Sequence, residues 1–367
     1  MNEKGAGPAD WPVVVRVPVE PVEPVEAAME ADALDAALHS TLAVRGPLFG
    51  VATQRTGDGR RWRVAVEVTH GCPQQARDSL NSLLWFRAKD EAKDRAERRA
   101  LLAAVARLES ERVDELTVLD TRYRVVRAEE YAGMDANGDI ETPRPTDPEP
   151  LTPDWGPGTH GPRVDADLVL DPDAPLSPVQ ASERLSLRSL VYTGTRFPDS
   201  VLGDSVRAVE SHPDVLLMPA AFQVVERSGT RSWRPGSALH VSAHDARVTL
   251  YFSLMWFRPR LRGLISHEAP RDVDAHTATP EDAAAAAELA AFAQAADRLR
   301  GGRLNQVEVP GTALRIVRTR RLLRWGPDGP EGPRPSDTNT QEPEVIHPRL
   351  DEDGIVHFEE SAQEEAS

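Results

Sequence analysis

An internal repeat is the feature that most constrains how this chain can fold. An Arg-Arg-Trp-Arg segment at residues 60–63 recurs as Arg-Ser-Trp-Arg at 231–234, and Leu-Leu-Trp-Phe-Arg at 83–87 recurs as Leu-Met-Trp-Phe-Arg at 254–258. Both pairs are 171 residues apart, so the stretch between them aligns without a gap. Ordered matches at a fixed separation are typical of a duplicated structural unit. We therefore predict two related copies of one unit.

Further matches extend the repeat at a second separation. Arg-Val-Val-Arg at 124–127 recurs as Arg-Ile-Val-Arg at 315–318, and the Pro-Arg-Pro-Thr-Asp loop at 143–147 recurs as Pro-Arg-Pro-Ser-Asp at 333–337. The first of these pairs is 191 residues apart, so the second copy carries an insertion of 20 residues just after Arg258. Insertions are tolerated in surface loops and not inside packed elements. The insertion therefore predicts a break between two helices near residues 87–90.

Residue patterns within the first copy predict the order β-β-α-α-β-β. The predicted elements are strands near 48–55 and at 61–68, a helix from Pro73, a helix at about 91–110, and strands at 115–119 and 122–128. The second helix has its counterpart at about 281–299, where a Thr-Pro-Glu-Asp sequence gives a helix start signal. The run 248–252 favours a strand by propensity but aligns with a helix, and we predict a helix there.

The fold class expected from these patterns is α+β, with two tandem pseudo-symmetric repeats and disordered acidic, proline-rich arms. The predicted boundaries are an arm at 1–30, repeat unit 1 at 31–133, a linker at 134–183, repeat unit 2 at 184–335 and an acidic tail at 336–367. The linker and the tail each carry a net charge of −9. Segments with this charge and few apolar residues do not fold alone.

The chain has a net charge of −16, yet the segment 184–335 carries +5. Its arginines predict a basic surface for an anionic partner, which the acidic tail would shield. The alternative is that they are solvated residues on strand faces. The candidate anion- or partner-binding residues are Arg258, Arg315, Arg318, Arg320 and Arg324.

Large aromatic residues recur at matching positions of the two copies, which is typical of core packing. These repeated residues are Trp62, Trp85 and Phe86 in the first copy and Trp233, Trp256 and Phe257 in the second. Arg87 follows the first Trp-Phe pair, as Arg258 follows the second. Such an arginine could cap helix carbonyls, pair with a carboxylate or stack on tryptophan, and a role in binding a ligand anion is a further interpretation.

No glycine-rich phosphate loop, His-Glu-x-x-His, Gly-x-Ser-x-Gly or paired-cysteine motif occurs in the sequence. His240 and His244 have the spacing of a metal pair, but the alignment places them across a strand–helix junction. His70 and Cys72 suggest an activated thiolate, for which a small turn cysteine is the simpler interpretation. We predict no catalytic residue, no cofactor and no metal site.

The function expected from the sequence is a cytoplasmic, non-catalytic binding or interaction protein with a basic surface on repeat 2. An enzyme with its site in the cleft between the repeats is the alternative, and a third option is that one copy only supports the other. No apolar run is long enough for a membrane helix, and the single cysteine, Cys72, excludes an intramolecular disulfide. The partner could be an anion or a protein. No nucleic-acid motif accompanies the arginines, and no membrane partner is expected.

The Trp-Phe-Arg segments also carry a resemblance. From about Pro18 to the C-terminal tail, the chain resembles an uncharacterised actinobacterial family that is known only as a domain of unknown function. The resemblance implies no activity, cofactor or catalytic residue.

Overall fold

The structure is a computed structural model that describes residues 41–358 except 157–160, 196, 230–231 and 339, together with residues 24, 27–28, 31–32, 34, 36 and 39. Most of the predicted N-terminal arm and the last nine residues of the tail lie outside the described residues. Among the helices in the described part, none is both long enough and apolar enough to cross a membrane.

The first half of the chain places two helices against a group of strands. Its elements are β1 (Thr41–Arg55), β2 (Trp62–His70), α1 (Pro73–Phe86), α2 (Arg95–Ser110), β3 (Glu115–Val118) and β4 (Thr121–Met134). A single π-helical turn, Arg87–Glu91, separates α1 from α2, where the insertion predicted a break. The side chain of Asp94 begins α2 by accepting a hydrogen bond from the backbone N–H of Glu97 at 2.8 Å.

The connection to the second half contains short elements. These are β5 (Val169–Leu170), α3 (Pro178–Leu187), α4 (Asp199–Ser211) and β6 (Asp214–Leu217). Ser177 and Gln180 form a capping box at the start of α3, in which each side chain bonds the backbone of the other residue.

The second half follows with strands, helices and strands in the same order as the first. Its elements are β7 (Ala221–Ser228), β8 (Arg234–Pro235), α5 (Ala243–Phe252), α6 (Arg258–Leu261), α7 (Ala283–Gly302), β9 (Gln306–Val309), β10 (Thr312–Gly326) and β11 (Gly329–Pro330). A π-helical turn, Ser253–Phe257, follows α5. The run 248–252 is helical, as the alignment predicted against its strand propensity. Asp282 caps α7, at the predicted start signal.

One large antiparallel sheet passes through both halves, in the order β5-β2-β1-β4-β10-β7-β8. The two halves join where β4 pairs with β10, and Glu130 lies opposite Arg321 in that pairing. The shorter strands β3 and β9 pair with β4 and β10 respectively. Helices combined with a large antiparallel sheet confirm the α+β class.

Separate apolar clusters support each half. Leu84, Trp85 and Leu101 pack with Tyr123 beneath the helices of the first half, and Leu254, Phe292 and Ile316 pack beneath those of the second. A third cluster contains Trp62, Leu323 and Trp325. Because residues on successive positions of β4 and β10 are buried, both faces of the two central strands are covered.

Parts of the linker and of the tail, which the sequence predicts to be disordered, pack against the folded halves, whereas others, such as Leu151 and Val345, are exposed. Strand β5 of the linker pairs with β2. In the tail, β12 (Arg349–Leu350) pairs with β13 (Val356–His357), and Leu350, 6 % exposed, joins the apolar cluster of the first half. Several of their acidic residues, including Asp147, Asp165 and Glu352, pair with arginines of the folded halves, which composition alone does not reveal.

Candidate functional site

The five arginines predicted to form a basic surface all have partners within the protein. The pairs are Arg258 with Glu226 at 2.6 Å, Arg315 with Asp139 at 3.0 Å, Arg318 with Asp147 at 3.1 Å, Arg320 with Glu141 at 3.5 Å, and Arg324 with the carbonyl of Arg188 at 3.2 Å. Arg320 also pairs with Glu183. Arg324 is only 1 % exposed, because β10 is a central strand. These side chains therefore do not form the exposed basic surface that the sequence predicts.

Each half receives acidic residues from the loop that follows the central strand of the other half. The loop after β4 pairs with the second half, and the loop after β10 pairs with the first. Arg318 binds Asp147 and donates its backbone N–H to Glu141 at 2.8 Å, while Arg127 binds Asp337 and donates its backbone N–H to Glu331 at 3.0 Å. The two sets of contacts have the same form. Each half is thus closed by a loop that the other half supplies.

The described part of the tail continues along the first half. Glu342 pairs with Arg112 at 2.6 Å, and Glu352 receives two hydrogen bonds of 2.7 Å from Arg99. The prediction that the tail shields the arginines of repeat 2 is wrong for the described residues. Those arginines are neutralised mainly by the linker.

Trp62 and Trp233 have similar surroundings, but only Trp62 is enclosed by the protein. Each indole faces two guanidinium groups: Arg122 and Arg124 lie 5.2 and 5.1 Å from the ring centroid of Trp62, and Arg227 and Arg315 lie 4.4 and 4.8 Å from that of Trp233. Trp62 is 2 % exposed and packs against Gly329, where a Cβ atom would lie 2.7 Å from the indole nitrogen. Trp233 is half-buried and borders an open cleft.

The other repeated aromatic residues divide between core and surface. Trp85 is 6 % exposed and lies in the core, as predicted, and Trp256 is half-buried. Phe86 and Phe257 are 49 % and 64 % exposed, so the prediction of core packing is wrong for both phenylalanines. Each follows its tryptophan on a helical segment, so consecutive side chains point in different directions.

Arg87 lies in the π-helical turn after Phe86. It donates to the hydroxyl of Tyr123, and its Nε lies 3.7 Å from a carboxylate oxygen of Glu91. Both contacts are internal. Of the interpretations given for Arg87, the structure supports pairing with a carboxylate.

The cleft beside Trp233 has a volume of about 210 Å³ and lies where the halves meet. Its lining residues come from β1 and β4 of the first half, from β7, β8 and β10 of the second, and from the loop between the halves. They are Ala43, Val44, Arg45, Glu130, Tyr131, Ala132, Ile140, Gln223, Val225, Trp233, Arg234, Pro235, Val317 and Thr319. Most are apolar, with a few polar groups, as in sites that bind small molecules.

A β-bulge brings the main charged groups of the cleft together. Val44 pairs with Tyr131 and Gly46 pairs with Glu130, so Arg45 is the extra residue of β1. Bulges redirect side chains and are common beside functional sites. Here the bulge places the Arg45 guanidinium against the Glu130 carboxylate, and its Nη1 donates to Gln223 Oε1 at 3.1 Å. Gly46 permits the bend with a φ of 140°.

Glu130 is the one carboxyl group among the residues that line the cleft. Its side chain is 2 % exposed, and burial raises its pKa above the usual range, although Arg45 opposes the shift. Arg45 is 39 % exposed at its side chain, and Arg234 is exposed on the short edge strand β8. The cleft thus presents guanidinium groups at its opening and an acid that resists ionisation inside.

The remaining sequence candidates are separate from the cleft. His244 contacts the carbonyl of Asp154 at 2.9 Å, while His240 bridges the backbone of Phe222 before α5 begins. His70 contacts Ser79 at 3.1 Å, and Cys72 donates to Gln341 at 3.1 Å. Within the described residues, no cluster of His, Cys, Asp and Glu could hold a metal ion.

Sequence reasoning named a cleft between the repeats only as the place of the alternative function and identified none of its lining residues, because these are distributed over five strands. A glycine beside a strand can mark a bulge, and Gly46 lies just before the strand predicted near 48–55. Neither the partner of Arg45 nor the opening beside Trp233 has a sequence signature.

Comparisons with known proteins place the chain in a family but give it no activity. Neither the comparison with curated proteins nor the comparison with solved structures found a match. A family model described as a family of unknown function, DUF5954, matches residues 23–340, which include both halves and the loops that they exchange. The chain belongs to the family of unknown function DUF5954.

Proposed function

We propose that the two halves are copies of one β-β-α-α-β-β unit, arranged as an internal pseudo-dimer. The recurring order of elements and the exchanged loops support this proposal. Residues related by 191 positions, Glu130 and Arg321, lie opposite each other between β4 and β10, as expected for residues on a pseudo-twofold axis. Cytoplasmic localisation is part of the same proposal, supported by the single free cysteine.

We propose further that the protein is a non-catalytic binding protein and that its ligand occupies the cleft between the halves. The observation that carries this proposal is the open, largely apolar cleft beside Trp233, at a position where the first half is filled around Trp62. A volume of about 210 Å³ is below the usual range for drug-sized ligands. The ligand is therefore small.

The charges at the cleft indicate the chemistry of the ligand. Arg45 and Arg234 present guanidinium groups, which bind carboxylates with paired hydrogen bonds. The Tyr131 and Trp233 rings offer apolar and aromatic contact. We therefore propose a small carboxylate with an apolar body. An anionic partner was also expected from the sequence, but the groups proposed here differ from the arginines selected there.

A ligand panel tests the proposal. The probes are single-ring aromatic and branched aliphatic carboxylates, each compared with its neutral amide, and the measurements are thermal stability and tryptophan fluorescence. A ligand at 100 times its Kd should stabilise the protein by about 2.7 kcal/mol. The Trp233→Phe variant identifies the fluorescence signal of the cleft.

Two variants and one control make the test specific. Ala43→Phe should fill the cleft and abolish binding, and Arg45→Gln should weaken carboxylate binding about tenfold or more without affecting the amides. Arg61→Gln, in an exposed turn, should bind like the wild type. The proposal is wrong if no carboxylate stabilises the wild type at about 10 mM, a concentration that would detect even weak binding, or if Ala43→Phe binds equally well.

An enzyme acting at the same cleft is the second candidate, and Glu130 is the observation that favours it. A buried carboxyl group with a raised pKa can act as a general acid or base near neutral pH. Incubation of each bound carboxylate with the wild type and with Glu130→Gln separates the two functions. Recovery of unchanged ligand supports binding alone, whereas conversion that Glu130→Gln abolishes supports an enzyme.

A further inference from the structure

The two Trp-Phe segments differ in what covers them, and the difference exposes a surface on the second half. In the first half, His347 stacks on Trp85 with ring centroids 4.7 Å apart, and the Trp85 indole N–H donates to the Pro348 carbonyl at 3.1 Å. Leu350 then enters the core and Glu352 binds Arg99. An extended, acidic, proline-containing segment of the tail thus covers this site.

In the second half, the linker brings Trp155 against Tyr251 with ring centroids 5.6 Å apart, but no segment among the described residues stacks on Trp256 as His347 stacks on Trp85. Trp256 is half-buried, and within the described residues its indole N–H donates no hydrogen bond to the protein. The linker has a segment like the tail's Pro-Arg-Leu-Asp, at 162–165, but it lies elsewhere: Val164 is in the third apolar cluster and Asp165 binds Arg321. The inserted residues cover part of α7, through Ala275 for example.

Apolar side chains beside Trp256 remain open to solvent. Phe252 contacts Trp256 with ring centroids 5.1 Å apart, and Phe257 and Leu261 are 64 % and 68 % exposed. Phe257 and Leu261 are four residues apart on a helical segment, so they share a face. Contiguous exposed apolar side chains on a folded protein often mark an interaction site. We name Phe252, Trp256, Phe257 and Leu261 the aromatic patch.

Positive charge without a carboxylate partner adjoins this patch. The guanidinium of Arg300 lies 5.8 Å from the Tyr251 ring, and Tyr251 contacts Trp256 at 6.2 Å. Arg260 donates to the carbonyls of Trp256, Pro270 and Val273 at 3.1, 3.1 and 3.0 Å. Within the described part of the chain, neither arginine forms an ion pair, whereas Arg95 and Arg99 of the first half bind a tail carboxylate. The partner that complements this charge is acidic.

We propose that the aromatic patch binds an extended, acidic, proline-containing segment of a partner protein. The segment would resemble residues 347–353 of this chain in chemistry. A ring or proline would lie against Trp256, a backbone carbonyl would accept its indole N–H, and carboxylates would pair with Arg260 and Arg300. This surface is distinct from the cleft, so a negative result for the aromatic patch would not affect the proposal of a ligand site in the cleft.

A synthetic peptide with the sequence of residues 345–358 is the probe, added to the full-length protein and followed by fluorescence anisotropy. We expect saturable binding that weakens about tenfold or more in Phe257→Ser and in Arg300→Glu. Both substitutions are at exposed side chains, so the fold is retained. Phe86→Ser is the matched control in the first half and should bind the peptide like the wild type. A peptide with Gln and Asn in place of its acidic residues should bind weakly.

Three outcomes would overturn the proposal. The first is no binding of the acidic peptide to the wild type. The second is binding that Phe257→Ser leaves unchanged while Phe86→Ser or Trp85→Phe alters it, which would place the peptide on the first half. The third is a stable dimer in analytical ultracentrifugation that Phe257→Ser dissociates, because the patch would then be occupied by a second copy of this chain.

Discussion

The exchange of acidic loops between the halves can be tested at Asp337. Its carboxylate accepts from Arg127 Nε at 2.8 Å and from the Arg334 backbone N–H at 2.7 Å, and the side chains of Arg127 and Asp337 are 2 % and 7 % exposed. Removing one partner of a buried ion pair usually costs about 3–5 kcal/mol, because the other charge stays buried. Arg127 keeps Glu129 as a second partner. We therefore expect Asp337→Asn to lower the free energy of unfolding by about 2–3 kcal/mol.

Urea denaturation, followed by intrinsic tryptophan fluorescence, measures this change. The matched control is Asp353→Asn, which removes a tail carboxylate that pairs with Arg95 at 3.0 Å while both side chains are about 60 % exposed. An exposed pair contributes about 0–1 kcal/mol, so the control should unfold almost like the wild type. A loss below about 1 kcal/mol for Asp337→Asn, or equal losses for the two variants, would refute the view that this loop is an integral part of the first half.

Three further substitutions test particular packing and charge assignments. Trp85→Ala should lower the free energy of unfolding by about 3–5 kcal/mol, and Trp256→Ala by less because its side chain is half-exposed, as measured in urea. Gly329→Ala should cost about 2 kcal/mol or more, since φ is 111° and the added Cβ would meet the Trp62 indole. Burial raises the pKa of Glu130, so its stabilising contribution is present below the unfolded pKa and is lost as pH rises through the folded pKa. Glu130→Gln should therefore gain stability relative to the wild type as the pH rises above about 4, near the unfolded pKa of a glutamate, and a constant difference in the same assay would contradict the assignment.

Much of the secondary structure could be predicted, because local patterns and the repeat constrained each other. The position of the insertion predicted the end of α1, and the alignment correctly favoured a helix over 248–252, where propensity alone favoured a strand. That run could become a helix because Leu250 and Leu254 pack into the core of the second half, and packing outweighs intrinsic preference.

The arms and the arginines could not be read correctly from composition. A segment with a charge of −9 is disordered when it must fold alone. Here Asp147 and Asp337 find arginines about 170 and 210 residues away in the chain, and the sequence gives no sign of such pairs. The interpretation of Arg318, Arg320 and Arg324 as exposed residues on a strand face also failed, because it assumed one solvent face, whereas β10 is covered on both faces. The cleft is also formed by residues that are distant in the chain. The sequence could therefore predict a site between the copies but not the residues that line it.

Fusion of the two proposed copies explains why the cleft beside Trp233 is open while its counterpart around Trp62 is filled. In a symmetric dimer, a residue on the twofold axis meets its own copy, so a buried Glu would face a Glu and a buried Arg would face an Arg. Such like charges repel strongly when desolvated. In the fused chain the two positions can differ, and Glu130 lies opposite Arg321. Arg321 pairs with Asp165 on the side of the filled site. Glu130 pairs instead with Arg45 in the open cleft. The sequence difference that avoids like charges at the axis therefore also makes the Trp62 and Trp233 sites chemically different. Of these two sites, only the one beside Trp233 has room for a ligand.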